Sequence, residues 1–226
     1  MSRKPIDSLY YYHVYNRGVD KRRIFLAKWD YVRFIRSMRE FNNVNSIGFY
    51  RKYLIKKNNM DTCSASSLLA EQENKPLIDI IAYCLNPNHF HLLAREISEN
   101  GISKFMHKVA GGYTRYFNER YNRAGCLFQG KYKAKEITST YDLMKVSVYV
   151  NCNSEIHGIA KAENWPWSSY LDYIGIRKGT LCNKKDVYEE FINIEEIKKL
   201  KEYIKFCNEL IPEIKAVKNL EKHGLE

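Results

Sequence analysis

Two periodicities divide this chain. In some stretches apolar residues recur at helical spacing; in others they alternate or run together as in strands. Tyr10 to Tyr15 (YYYHVY) is aromatic and β-branched and predicts a first strand, closed by the turn Asn16-Arg17-Gly18-Val19-Asp20. From Asp30 to Asn43, Tyr31, Phe34, Ile35, Met38 and Phe41 mark one face of an amphipathic helix. Ile78 to Leu85 is a nearly unbroken apolar run, as in a buried strand, and Asn86-Pro87-Asn88 turns it into a returning strand over His89 to Arg95. Gly101 opens a helix striped with Ile102, Phe105, Met106, Val109, Tyr113, Tyr116 and Phe117. Lys131 to Ile137 alternates like an exposed strand, and Thr140 is the expected N-cap of a helix from Tyr141 to Asn151. Trp165 to Tyr170 reads as a turn-rich aromatic plug. Past Gly179 the chain is charged and helical, from Lys184 to Asn193 and from Glu195 to Leu210, and Lys215 to Glu226 is expected to fray.

This order predicts an α+β fold, a ferredoxin-like antiparallel sheet with helices packed on it and a C-terminal helical extension. The expected division is a domain over 1–175 and the extension over 176–226. A basic, then Ser-rich excursion at about 44–76 has a later part expected to be mobile.

The composition narrows the partners. A net charge of +11 on 226 residues favours a polyanion, either nucleic acid or an acidic membrane surface. No apolar run approaches the length of a membrane span, so no membrane partner is expected. The N-terminus lacks the apolar stretch of a signal peptide. The six cysteines form no CxxC pair. Cys84, Cys126 and Cys152 lie in or beside apolar stretches and are expected to be buried, which fits a reduced, cytoplasmic setting.

The candidate chemistry starts at His89 and His91. On a strand, residues i and i+2 share a face, about 6.5–7 Å apart at their Cα atoms. The two imidazoles can converge on one ion while Phe90 enters the core. Histidines on a strand are more often structural than ligands, and a metal needs a third group. Tyr149 and Asn153, four apart, stand one above the other if their helix runs one more turn. Asn153 could then offer a carbonyl oxygen to a divalent cation. A free tyrosine is a poor nucleophile at neutral pH, and a nearby cation improves it. Taken alone, Tyr149 is read first as a helix-face aromatic packing on the sheet. Tyr113 and Tyr116, on an apolar stripe, are its rivals.

His89-Phe90-His91 after Ala82 to Asn88 resembles the HUH signature of single-tyrosine transposases, and the REP-associated tyrosine transposases most of all. Tyr12 to Gly18 resembles their opening strand. Tyr113 to Asn118 with Gly125 to Lys133 resembles their central helix and following strand, Tyr149 to Asn153 their tyrosine helix, and Trp165 to Tyr170 their closing plug. The resemblance covers roughly 10–175. It implies that His89, His91 and Asn153 hold Mg²⁺ or Mn²⁺, where ligand softness alone would suggest zinc. It also implies that Tyr149 attacks a phosphodiester of single-stranded or hairpin DNA, leaving a 5′-phosphotyrosine and a free 3′-OH for strand transfer. Two positions depart from the pattern: Asn151 stands where relatives carry His, and Ser154 where they carry Pro. A catalytically weakened or domesticated hairpin-binding protein is therefore the alternative. Nucleoid association follows from DNA binding, and the sequence leaves monomer and homodimer open. Arg17, Lys21, Arg22, Arg23, Lys131, Lys133 and Lys135, with Tyr132 among the lysines, are the candidate DNA-binding groups. His13 belongs either to the core or to the site.

Overall fold

The structure, a computed structural model, describes residues 11–44, 75–190 and 196–222. Four strands form one antiparallel sheet: β1 (Tyr11–Arg17), β2 (Ile78–Asn86), β3 (His89–Glu96) and β4 (Lys133–Ile137), side by side in the order β2-β3-β1-β4. Helix α1 (Lys28–Glu40) links β1 to β2, and α2 (Gly101–Arg120) links β3 to β4. Two interlocked split βαβ units result, which is the ferredoxin-like arrangement expected.

Strand alternation decides what each face meets. Val14, Phe90, Leu92 and Ala94 point to one side and pack on Phe34, Met38, Phe105, Val109 and Tyr113 of α1 and α2. Each Val, Leu, Phe or Met side chain among them, fully buried, contributes about 1.5–3 kcal/mol. Leu93 points to the other side, toward helix α3 (Thr140–Asn151), and joins Leu143, Met144 and Val148. A register shift in β2 between Ile80 and Ala82 resets its alternation. Ile78 and Ile80 face α1 and α2, Ile81 and Ala82 both face α3, and beyond the bulge Tyr83 and Leu85 return to the first side. The bulge thereby puts Cys84 opposite His91 and Asn86 opposite His89. Without it Asn86 would point into the α1/α2 core.

Local chemistry sets the helix starts. Asp30 is fully buried, and its Oδ2 accepts from the Leu26 and Ala27 amides at 2.8 Å each, so α1 begins two residues earlier than the pattern predicts. The N-cap of α3 is Ser139, not Thr140: the Ser139 hydroxyl accepts from the Asp142 amide at 3.0 Å. After Cys152, with φ −98° and ψ 14°, one further turn, α4 (Asn153–Ile156), continues the tyrosine helix.

The plug seals the outer edge of β2. Leu85 N donates to Trp167 O at 2.9 Å and Ser169 N to Tyr83 O at 2.9 Å, just before the short helix α5 (Tyr170–Tyr173). Of the helix expected from Lys184, only α6 (Lys185–Tyr188) forms among the described residues. The last helix, α7, runs from Glu196 to Lys222 through Pro212, so the expected fraying from Lys215 does not occur before 222. The reason is packing: Tyr203, Cys207, Leu210 and Ile211 enter the same core as Leu143 and Val148. Cys84 and Cys152 are buried as expected, but Cys126 is exposed, in the turn after α2 where Arg123 holds its carbonyl at 2.6 Å. The excursion lies outside the described residues apart from its ends, where Val44 N donates to Lys75 O at 3.0 Å. None of the described helices is long and apolar enough to cross a membrane.

Candidate active site

The α3 side of the sheet carries His13 and Tyr15 from β1 and His89 and His91 from β3, with Tyr15 directly opposite His91. The rings form one cluster. His13 stacks on His91 with centroids 5.0 Å apart, and His89 stands perpendicular to His91 at 5.2 Å. Tyr149 of α3 meets both His13 and His91 edge-on at 5.4 Å. The sequence-predicted nucleophile and histidine pair are therefore brought together. The rivals are not. Tyr113 is buried and donates to Ile24 O at 2.6 Å, and Tyr116 donates to Asp30 Oδ1 at 3.0 Å, both in the core on the opposite side.

Each imidazole is fixed by a neighbour. His89 Nδ1 lies 2.7 Å from Asn88 Oδ1, an acceptor, so Nδ1 carries the proton and Nε2 the lone pair. That lone pair faces Asn153 Oδ1 at 3.2 Å. Asn86 Nδ2, from the position set by the bulge, bridges the two acceptors at 2.9 Å and 2.6 Å. Asn153 is itself held by its Nδ2 donating to Tyr149 O at 3.3 Å, the i+4 relation expected from sequence. His91 Nδ1 pairs with His13 Nε2 at 2.7 Å, leaving His91 Nε2 for the site. His13, undecided in the sequence, thus orients His91.

Burial keeps these rings neutral. It lowers His89 below the usual histidine range and His91 well below it, with neighbouring positive charge adding to the effect. His13 falls to about 4, through burial and then the charges of Lys135 and Lys218. Neutral imidazoles with a lone pair facing an amide oxygen form a donor set that fits a divalent cation.

Two participants were missed from sequence. His157 sits four residues beyond Asn153 and eight beyond Tyr149, so the same helical spacing extended one step would have found it. The nitrogens of His89, His91 and His157 lie within 4.8 Å of one another and could hold a metal ion. His157 is also lowered to about 4, by burial and then by Lys218. Lys218 of α7 had no local signal. Its ammonium lies 2.7 Å from His157 Nε2 and 2.9 Å from the Tyr149 hydroxyl. A neutral imidazole has one lone pair. While His157 accepts from this ammonium its other nitrogen holds the proton, so it has nothing to offer a cation, whereas Asn153 Oδ1 does.

Asn151, the departure from the family pattern, points away from the cluster and is fully buried. Its Nδ2 donates to the Tyr203 hydroxyl of α7 at 2.7 Å and its Oδ1 accepts from Ser169 at 2.5 Å. It fastens the tyrosine helix to α7 and to the plug. Ser154 is buried as well, and its hydroxyl has no hydrogen-bond partner among the described residues.

The basic residues fall into groups. Arg17 pairs in register with His89 and donates to Gln129 Oε1. Lys133 and Lys135 stand opposite Tyr15 and His13 on the site's side of the sheet and are exposed. Lys21, Arg22 and Arg23 are exposed in the loop beside the β2–β3 turn, where Asn88 Nδ2 donates to Lys21 O at 3.2 Å. Gly18 opens that loop: a Cβ there would come 2.3 Å from Arg22 O. Lys131 is exposed ahead of β4, but Tyr132 is half-buried against the α1/α2 core rather than free as a stacking platform.

The sheet thus presents the His89/His91 pair of β3 to Tyr149 on α3, the helix that follows β4. Residues 44–153, which contain His89, His91, Tyr149 and Asn153, match the family model described as "Transposase IS200 like". No curated protein matches the sequence significantly. A solved structure of a REP-associated tyrosine transposase bound to a REP hairpin is similar over 83% of this chain and 92% of that one, at 15% identity and a TM-score of 0.46.

Proposed function

We propose that this protein cuts and rejoins single-stranded DNA through a 5′-phosphotyrosine on Tyr149, with Mg²⁺ or Mn²⁺ held by His89, His91 and Asn153. The observation that carries the reading is the packing of the Tyr149 ring edge-on against His91 at 5.4 Å, with Asn153 one turn beyond it and 3.2 Å from His89 Nε2. When bound, the cation would polarise the scissile phosphate and stabilise the charge that builds on it. The chain's own residues do the rest. Asn88 and His13 fix the rings of His89 and His91. Tyr149 Oη attacks phosphorus as the 3′ oxygen leaves, and the 3′-OH of a second strand reverses the step. Arg17, Lys133 and Lys135 flank the cluster and suit the sugar-phosphate backbone on either side of the cut; Lys21, Arg22, Arg23 and Lys131 extend that basic surface. The bound form would be nucleoid-associated in a cytoplasm.

Incubation with Mn²⁺ and a single-stranded hairpin oligonucleotide should give a covalent protein–DNA adduct that Tyr149→Phe abolishes. Hairpin binding with no adduct under any divalent metal would leave a DNA-binding protein without catalysis. That alternative rested on Asn151 and Ser154, and Asn151 lies in a structural network rather than in the cluster.

A further inference from the structure

We infer that Lys218, on the C-terminal helix, is a catalytic residue of this site: its ammonium holds the Tyr149 oxygen in place for attack and stabilises the negative charge on it when the phenol proton leaves and when the phosphotyrosine bond is broken in rejoining. The inference rests on the proposed function and adds a residue from outside the motifs that define it.

The ammonium is 2.9 Å from Tyr149 Oη and 4.7 Å from the centre of its ring, so it touches the atom that would react. A second contact, 2.7 Å to His157 Nε2, fixes the lysine from the other side. An untethered lysine loses up to about 2 kcal/mol of rotamer freedom on being held in one place. Here the helix that carries it is already anchored. Tyr203 of α7 accepts from Asn151 and lies 3.2 Å from Ser147 Oγ, and Lys215 lies 3.5 Å from Glu155. Asn151 and Ser147 belong to the same helix as Tyr149, so nucleophile and lysine sit on one packed pair of helices, with the Lys215–Glu155 pair holding the last helix beyond Pro212. Asn151, where relatives carry His, thereby helps to dock the helix that carries Lys218.

Lys218 is also open to substrate. It lines a solvent-facing cleft of about 650 Å³ together with His157, Lys215 and Asn219. A phosphate entering there would meet the Lys218 ammonium, whose 2.9 Å hydrogen bond leads on to the phenol oxygen. In the step itself the Oη–P bond forms as the P–O3′ bond breaks. The phenol proton passes to water, and the departing 3′ oxygen takes a proton from water. Lys218 donates a hydrogen bond to Tyr149 Oη, the oxygen on which charge appears as the phenol proton leaves and again when this oxygen departs in the rejoining step. Such donors act at full strength because they need no reorientation as the charge appears.

The test compares the unaltered chain with Lys218→Met, which keeps most of the aliphatic stem, and Lys218→Arg, which keeps the charge. Adduct formation is followed in a single turnover at saturating Mn²⁺ and hairpin DNA, alongside the DNA dissociation constant and the melting temperature. The expected result is a rate lower by about a hundredfold or more in Lys218→Met, with DNA affinity within about threefold and partial recovery in Lys218→Arg. An unchanged rate, a faster one, or a loss seen only in DNA affinity would overturn the role of Lys218 while leaving the proposed function standing. No adduct from the unaltered chain would overturn both.

Discussion

The neutral histidines give the metal-free protein a specific sensitivity to acid, and His13 lets its size be worked out. Burial, aided by the charges of Lys135 and Lys218, lowers His13 from 6.5 to about 4. An unfolded chain would take up this proton near 6.5, so between the two values the unfolded state binds more protons than the folded one. Stability is therefore fully present above 6.5 and is lost as the pH falls through about 4. The gap corresponds to roughly 3 kcal/mol when complete, and to about 2 kcal/mol between about pH 7 and about pH 4.5. His89 and His91 are lowered as well and add loss of the same sign. The perturbation is His13→Gln, whose amide oxygen can still accept from His91 Nδ1 but does not titrate. Urea unfolding in chelator, at a series of pH values, should give a shallower acid loss for the variant, by about 2 kcal/mol over that window. Parallel curves for the two proteins would refute the buried, neutral His13 and with it the account of how His91 is held.

Three further outcomes follow from the same geometry. Asn153→Ala should weaken Mn²⁺ binding, measured by electron paramagnetic resonance, by tenfold or more, on the order of what losing a supporting group costs a metal site, while His157→Ala should leave it within a few-fold; the reverse ranking would make the three histidines the ligand set. Asn151→Ala should cost about 1–3 kcal/mol in urea unfolding, because buried partners on α7 and the plug lose their hydrogen bonds, and it should slow adduct formation by loosening α7. Lys135→Ala should lower the slope of log affinity for single-stranded DNA against log salt by about 0.7, whereas replacing Lys108, on α2 away from the site, should not change it.

Much of the fold was legible because its signals are local. The apolar stripes of α1 and α2 and the alternation of β3 predict which residues are buried, and the Asn-Pro-Asn turn fixes where β3 begins. Spacing placed His89 with His91 on one strand face and Tyr149 with Asn153 on one helix face, but it was the ordered resemblance to the transposase motifs, not the spacing, that singled these four residues out. The rest depended on contacts between distant segments. The bulge at Ile81 and Ala82, which aims Asn86 at the site, leaves no mark in a uniformly apolar run. Ser139 and Thr140 are both good caps, and only the hydrogen bond to Asp142 distinguishes them. Lys218 lies 69 residues from Tyr149, on a charged helix whose sequence gives no reason to single it out. Asn151 read as a defect in a catalytic motif until Tyr203 and Ser169 appeared as its partners.

The central claim is that one tyrosine out of 18 becomes the covalent attachment point for DNA. It is tested most directly by trapping the adduct with Mn²⁺ and hairpin DNA, digesting both components and locating the nucleotide-bearing residue by mass spectrometry. The account predicts a single modified tyrosine, Tyr149, carrying the phosphate through its phenol oxygen. Modification of Tyr113, Tyr116 or any other residue, with Tyr149 untouched, would contradict it.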